Sequence, residues 1–167
     1  EGEGVTVAGV VVTSIDSSGF NAQDPTASSP EYSGVYVYTG SGPGVSLGDE
    51  VRVTGATEEY YGLTEIAASD WEVTGTGSIS PTAVALADVV DEAWEGVLVT
   101  VTGTVSDEAH DCAEDNSACS DANLWEIGGE TGIVVYDPIP GAVALAVTEV
   151  VPVVQPFAIS AFRISVL

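Results

Sequence analysis

The chain repeats itself, and the repeat limits the possible folds more than any single motif does. VTVAGVV at Val5 returns as VTVTGTV at Val99, and SGVYVYTG around Gly34 returns as TGIVVYDP around Gly132. Landmarks recurring in the same order mark a duplicated structural unit. Between them, GFNAQD at Gly19 answers to NLWEIG at Asn123. The interval is longer in the second copy, and the excess coincides with the polar run HDCAEDNSACSDAN, where an insertion disturbs no core. A third correspondence, EVRVTGATEEYYGLTEI with AVTEVVPVVQPFAISAFRI, holds in apolar pattern alone and sets Gly55 against Glu149.

Val, Thr and Tyr dominate Val5 to Ile15, Gly34 to Tyr38, Glu50 to Glu58, Trp71 to Thr76 and Gly96 to Val105, with Gly, Pro, Asn and Ser between them. Such residues suit a pleated, half-buried surface, so the sequence predicts an all-β protein. Each copy supplies the strand count of a five-stranded Greek-key barrel of the OB type, and the whole reads as two tandem OB-like barrels. Gly9 and Gly103 fall inside the first strand of each copy, where a glycine marks a bulge or sharp bend. PTAVALADVVDEAWEG, after the Ser80–Pro81 start signal, spaces Val84, Ala85 and Val89 near a helical period and predicts one short connecting helix. The expected organisation is unit one over 1–80, a helical connector over 81–95 and unit two over 96–167.

Charge narrows the partners. The chain has 26 Asp and Glu against two basic residues, Arg52 and Arg163, for a net charge of −24. Nucleic-acid binding draws its affinity from Lys and Arg neutralising phosphates, so direct binding of DNA or RNA is disfavoured, as is an anionic membrane surface. The longest apolar stretch, Ala142 to Ile159, is broken by Glu149, Pro152 and Pro156, short of the roughly 20 apolar residues a spanning helix needs. A hydrophobic content of 45% is ample for a packed core.

GFNAQDP (Gly19 to Pro25), SGVYVYTG (Ser33 to Gly40), LGDEVRVTGATEEYYGLTEI (Leu47 to Ile66) and PTAVALADVVDEAWEGVLVTVTG (Pro81 to Gly103) together resemble the OB-like domain that precedes the endonuclease/exonuclease/phosphatase domain of secreted bacterial nucleases. The resemblance covers the first two thirds of the chain. It implies an extracellular or periplasmic, nuclease-associated, non-catalytic module working beside an adjoining domain of a larger protein. The single histidine, His110, falls short of the histidine pair and carboxylates that metal-dependent phosphodiesterases use, so no nuclease centre is expected within these residues.

Three sets of side chains are candidates for function. In GVYVY a period of two sends Val35 and Val37 to one face and Tyr36 and Tyr38 to the other; with Tyr60 and Tyr61 these tyrosines are either a stacking platform for a ligand or the cover of a sheet face. Asp111, Glu114, Asp115 and Asp121, beside Asp107 and Glu108, offer the hard oxygens calcium prefers, but in no EF-hand spacing, so a solvated acidic loop competes with a cation site. Cys112 and Cys119 read as a local disulfide and hence as a mark of export; a zinc site with His110 is the rival, weakened by the missing paired-cysteine spacing. No organic cofactor is expected. The functional expectation is an accessory binding module of a secreted or cell-surface protein, set against a purely structural spacer or an acidic-loop calcium module. If Cys112 and Cys119 are paired, thiol titration of the denatured, unreduced protein will find no free thiol, and two reactive thiols would remove the argument for export.

Overall fold

A computed structural model describes residues 2–103 and, beyond them, the backbone of four strands at 105–107, 124–127, 133–136 and 155–158. The chain is all-β. Five strands build the first sheet: β1 (Gly4–Ile15), β2 (Gly19–Gln23), β3 (Gly34–Tyr38), β4 (Asp49–Tyr60) and β5 (Leu63–Thr76). Their hydrogen-bond partners run β1-β2-β3-β5-β4, and β4 returns to β1, so the pairings close into a ring. All pairs are antiparallel except β3 with β5. The later strands are β6 (Thr82–Ala83), β7 (Val99–Gly103), β8 (Val105–Asp107), β9 (Leu124–Ile127), β10 (Ile133–Tyr136) and β11 (Gln155–Ala158). They form two three-stranded sheets, β11-β7-β6 and β10-β9-β8.

The core lies inside the ring: Val10, Val12, Phe20, Ala22, Val37, Val51, Val53 and Ile66 are buried together, with Val5, Val7, Ile15, Ala68 and Trp71 packed against them. Strict alternation would not bring all of these inward, and bulges supply the difference. In β1, Val5 and Val7 face the core; the register to β4 then slips between Ala8 and Val10, at Gly9 with φ 75°, and Val10 and Val12 take over. A left-handed backbone there favours glycine, as the interior glycine of the sequence suggested. A second slip, between Val12 and Ser14 against β2, turns Ile15 inward. The apolar run Val10-Val11-Val12 lies between the two slips: Val10 and Val12 enter the core, while Val11 is buried on the other face against Gly77.

β5 is bulged in the same way between its pairings at Gly55 and Thr54, which carries the inward phase from Ile66 and Ala68 to Trp71. Trp71 donates its indole N–H to the Pro43 carbonyl at 2.8 Å and ties the 40–48 loop to the sheet. Strand β5 is also longer than the predicted Trp71 to Thr76, because LTEIAASD continues the pairing back to the β4–β5 turn.

The predicted connecting helix does not form. Thr82 and Ala83 pair in parallel with β7, and only Glu92–Trp94 is helical, as a 3₁₀ turn capped by the Asp91 carboxylate on the Ala93 N–H at 3.0 Å. Asp91, Glu92 and Glu95 at the C-terminal end would oppose the dipole of an α-helix, and the Ala93 carbonyl is spent on the Tyr32 N–H at 2.8 Å. Val89, Ala93 and Val97 are the buried apolar residues of this stretch.

The β4–β5 turn is a two-residue hairpin closed by the pair Tyr60 and Leu63, with φ 51° at Tyr61 and 80° at Gly62. Both central residues are left-handed, the geometry for which Asn-Gly is favoured. A bulky side chain there costs on the order of 1–2 kcal/mol. Tyr61→Asn is therefore expected to raise stability by about 1 kcal/mol and the melting temperature by a few degrees, read by circular dichroism; a lower melting temperature would mean that the ring contact with Tyr60 outweighs the backbone cost.

Candidate functional site

The four predicted tyrosines divide between two places. Tyr36, half-buried on β3, crosses Gly19 of β2 and donates its hydroxyl to the Asp16 carboxylate, at 3.1 Å to Oδ1 and 3.0 Å to Oδ2. Asp16 also accepts from the Ser18 and Gly19 N–H groups at 2.6 and 2.8 Å, so this tyrosine serves the β1–β2 turn. Tyr38 is exposed on the same outer face beside Gly40. Tyr60 and Tyr61 sit at the hairpin tip, their rings 4.7 Å apart and perpendicular. β3 and β5 run in parallel, with Tyr36 opposite Glu65 and Tyr38 opposite Ala67, so Tyr38 lies farther from the tip than Tyr36. The four do not make one continuous platform.

Around the tip the chain folds back on itself. Segment 93–98 runs across the end of the ring formed by the close of β2, the start of β3 and the β4–β5 hairpin. Ala93 accepts from Tyr32 N–H, Leu98 N–H donates to the Gln23 side-chain carbonyl at 2.9 Å, and Thr64 N–H donates to the Glu95 carboxylate at 3.1 Å. Gln23 is 4% exposed and so satisfied by a backbone partner far along the chain. Gly34 and Gly96 meet backbone to backbone: a Cβ on Gly34 would overlap the Gly96 carbonyl, and a Cβ on Gly96 would stand 2.8 Å from Val35 N. Gly96, at φ 68°, needs glycine on both counts. Nothing in the local sequence announced this contact.

Two carboxylates converge on Thr64: Glu95 on its N–H and Glu59 on its hydroxyl, each at 3.1 Å. Burial pushes the Glu95 carboxyl above its ordinary value, and the negative charges of Glu92 and Glu59 push in the same direction, against the Thr64 hydrogen bonds. Arg52 is committed elsewhere, to Glu72 at 2.7 Å across β4 and β5. Asp24 behaves oppositely: hydrogen bonds from the Thr26 hydroxyl and N–H, both 2.7 Å, hold its carboxyl low.

Cys112, Cys119 and the acidic set Asp111, Glu114, Asp115 and Asp121 lie outside the described residues. Among the described residues no group of three or more His, Cys, Asp and Glu side chains is placed to hold a metal ion, and no helix is long and apolar enough to cross a membrane. Comparison with protein-family models, curated proteins and solved structures found no match to the chain.

A carboxyl raised in the folded state contributes stability that is present below its unfolded value, near 4.5, and is lost as pH rises through the folded value. Charged Glu95 therefore costs stability at neutral pH. Glu95→Gln keeps an acceptor for Thr64 and removes the charge, so the melting temperature should rise at pH 7, by less than about 1 kcal/mol of stability given partial solvent screening, and change little at pH 4. A fall at pH 7 would show that the charge itself holds the segment down.

Proposed function

We propose that the chain is a non-catalytic accessory module of a secreted or cell-surface protein, built as tandem OB-like units, and that it holds an adjoining domain in fixed relation to its first unit. The observation that carries this reading is the docking of segment 93–98 on the end of the first ring. A flexible linker would leave Gln23 and Gly34 facing water; here both are covered by the chain that leads onward, which also brings the Glu95 carboxylate to the Thr64 N–H. A connection made of backbone contacts and buried Val89, Ala93 and Val97 transmits orientation, which is what a spacer or accessory domain needs.

The ring order β1-β2-β3-β5-β4, with one parallel pair between β3 and β5, supports the OB-like assignment of the first unit. Backbone register in the second half supports the tandem reading. Val105 pairs with Ile127 as Val11 pairs with Gln23, and these residues correspond through the Val5/Val99 and Gly19/Asn123 matches. β11 runs antiparallel to β7 as β4 does to β1, with Phe157 opposite Val101 where Val53 is opposite Val7. On this reading the counterpart of β4 is β11, later in the chain than the match of Gly55 with Glu149 suggested. The resemblance to the OB-like domain of secreted nucleases fits an accessory role beside a catalytic domain, and the charge of −24 argues that nucleic acid is not gripped by this module itself.

Hydrogen exchange tests the coupling. The amides of Tyr32, Thr64 and Leu98 should be protected nearly as well as those of Val51 and Val53; exchange at loop rates would make the segment a loose tether and sink the spacer reading. Incubation with DNA, RNA and divalent cations should give no turnover, and cleavage by the purified chain would overturn the non-catalytic part.

A further inference from the structure

Among the described residues two that are not glycine adopt a left-handed backbone, Tyr32 at φ 57° and Tyr61 at φ 51°. Both are tyrosines and both are strongly exposed, 73% and 89%, and Tyr60, whose ring meets that of Tyr61, is 53% exposed. Fold stability alone favours Gly, Asn or Asp at such positions, so the rings are held in solvent against a local cost. They occupy one end of the ring. Tyr32 N–H reaches Ala93, Glu95 two residues on reaches Thr64, and Thr64 adjoins Leu63, the partner of Tyr60.

The same end is acidic and, among the described residues, carries no cation. Glu31, Glu58, Glu59, Glu92 and Glu95 stand on the loop, hairpin and segment that carry or join the tyrosines, and two of their carboxylates share Thr64. Arg52, the one basic side chain among the described residues, is paired with Glu72. Exposed aromatic faces beside unneutralised carboxylates are complementary to a guanidinium, which stacks on the ring through cation–π attraction and pairs with carboxylate oxygens through its planar fork. Phosphate-bearing partners are repelled by the same field.

We propose that the end of the first unit bearing Tyr32, Tyr60 and Tyr61 is a docking surface for an arginine-bearing segment of a partner protein. This rests on the reading of the chain as an accessory module and names the chemistry of what it works beside. The perpendicular rings of Tyr60 and Tyr61 offer a face and an edge at the hairpin tip, Tyr32 lies on the loop whose backbone bonds to Ala93, and the Glu59 and Glu95 carboxylates that meet at Thr64 are there to pair with an extended basic chain.

Fluorescence anisotropy of a dye-labelled decapeptide of alternating Arg and Gly, titrated with the full chain at 0.15 M salt, where exposed charges are screened beyond about 8 Å, tests it. Saturable binding is expected, weakened about tenfold or more in the triple variant Tyr32→Asn, Tyr60→Thr, Tyr61→Asn, which keeps the net charge and places asparagine where it suits the backbone. Circular dichroism melting checks that the variant folds. No saturable binding, equal affinity for the variant, equal affinity for the matching Lys and Gly peptide, or stronger binding of a neutral oligosaccharide would each overturn the proposal. Those failures leave the amide-exchange result, and the spacer reading it tests, untouched.

Discussion

Closing five strands into a ring requires β1 to face two neighbours, β4 along its first half and β2 along its second, while always turning a hydrophobic side to one core. A flat strand cannot do this, because its inward residues follow a fixed period of two while the strand must coil. The slips at Gly9 and near Thr13 resolve the conflict by advancing the phase by one residue each. Everything downstream depends on that: Phe20 and Ala22 find Val10 and Val12 inside, and Tyr36 and Asp16 are left outside to settle the turn.

The second constraint is the end of the ring. There Gln23, the last residue of β2, pairs with Gly34, the first of β3, and the buried Gln23 side chain and the Gly34 backbone are left to be covered. The chain covers them with its own segment, and it can come close enough only because glycines meet at Gly34 and Gly96. Buried polar groups must be hydrogen-bonded, and Gln23 is satisfied jointly by Leu98 N–H and, through its amide, by the Ser33 hydroxyl at 3.0 Å. The packing of segment 93–98 is thus a condition of the first unit's own completeness.

The all-β class, the Gly34–Tyr38 strand and the bulge at Gly9 were legible in the sequence because each rests on local physics: β-branched residues, alternation, and a glycine where side chains are otherwise required. The helix after Pro81 was misread because, of Val84, Ala85 and Val89, whose spacing suggested it, only Val89 is buried, and apolar spacing alone does not tell an irregular segment from a helix. The tyrosines were found as residues but not as a site. Their grouping depends on which strand ends lie side by side, and Tyr32, in a loop with no strand pattern, gave no signal beyond being an aromatic among Ser and Pro.

The acids resisted reading for a related reason. With 26 of them, sequence offers no way to separate those that bind from those that hold local structure, yet four of the described aspartates show a common use. Asp16 accepts from Ser18 and Gly19, Asp24 from Thr26, Asp49 from Ser46 at 2.7 Å and Asp91 from Ala93, each closing a turn by capturing backbone N–H groups a few residues away. Short carboxylates do this well because they imitate a backbone turn, so a loop-rich β protein can absorb many of them without building a site. The glutamates at the hairpin are different in kind. Glu59 and Glu95 meet at Thr64, from elements far apart in the chain, and like charges brought together raise the free energy of the fold. Charge that caps a turn explains itself within four residues; charge gathered against its own repulsion, at the end that carries exposed aromatic rings, finds no cation among the described residues and suits one supplied by a partner.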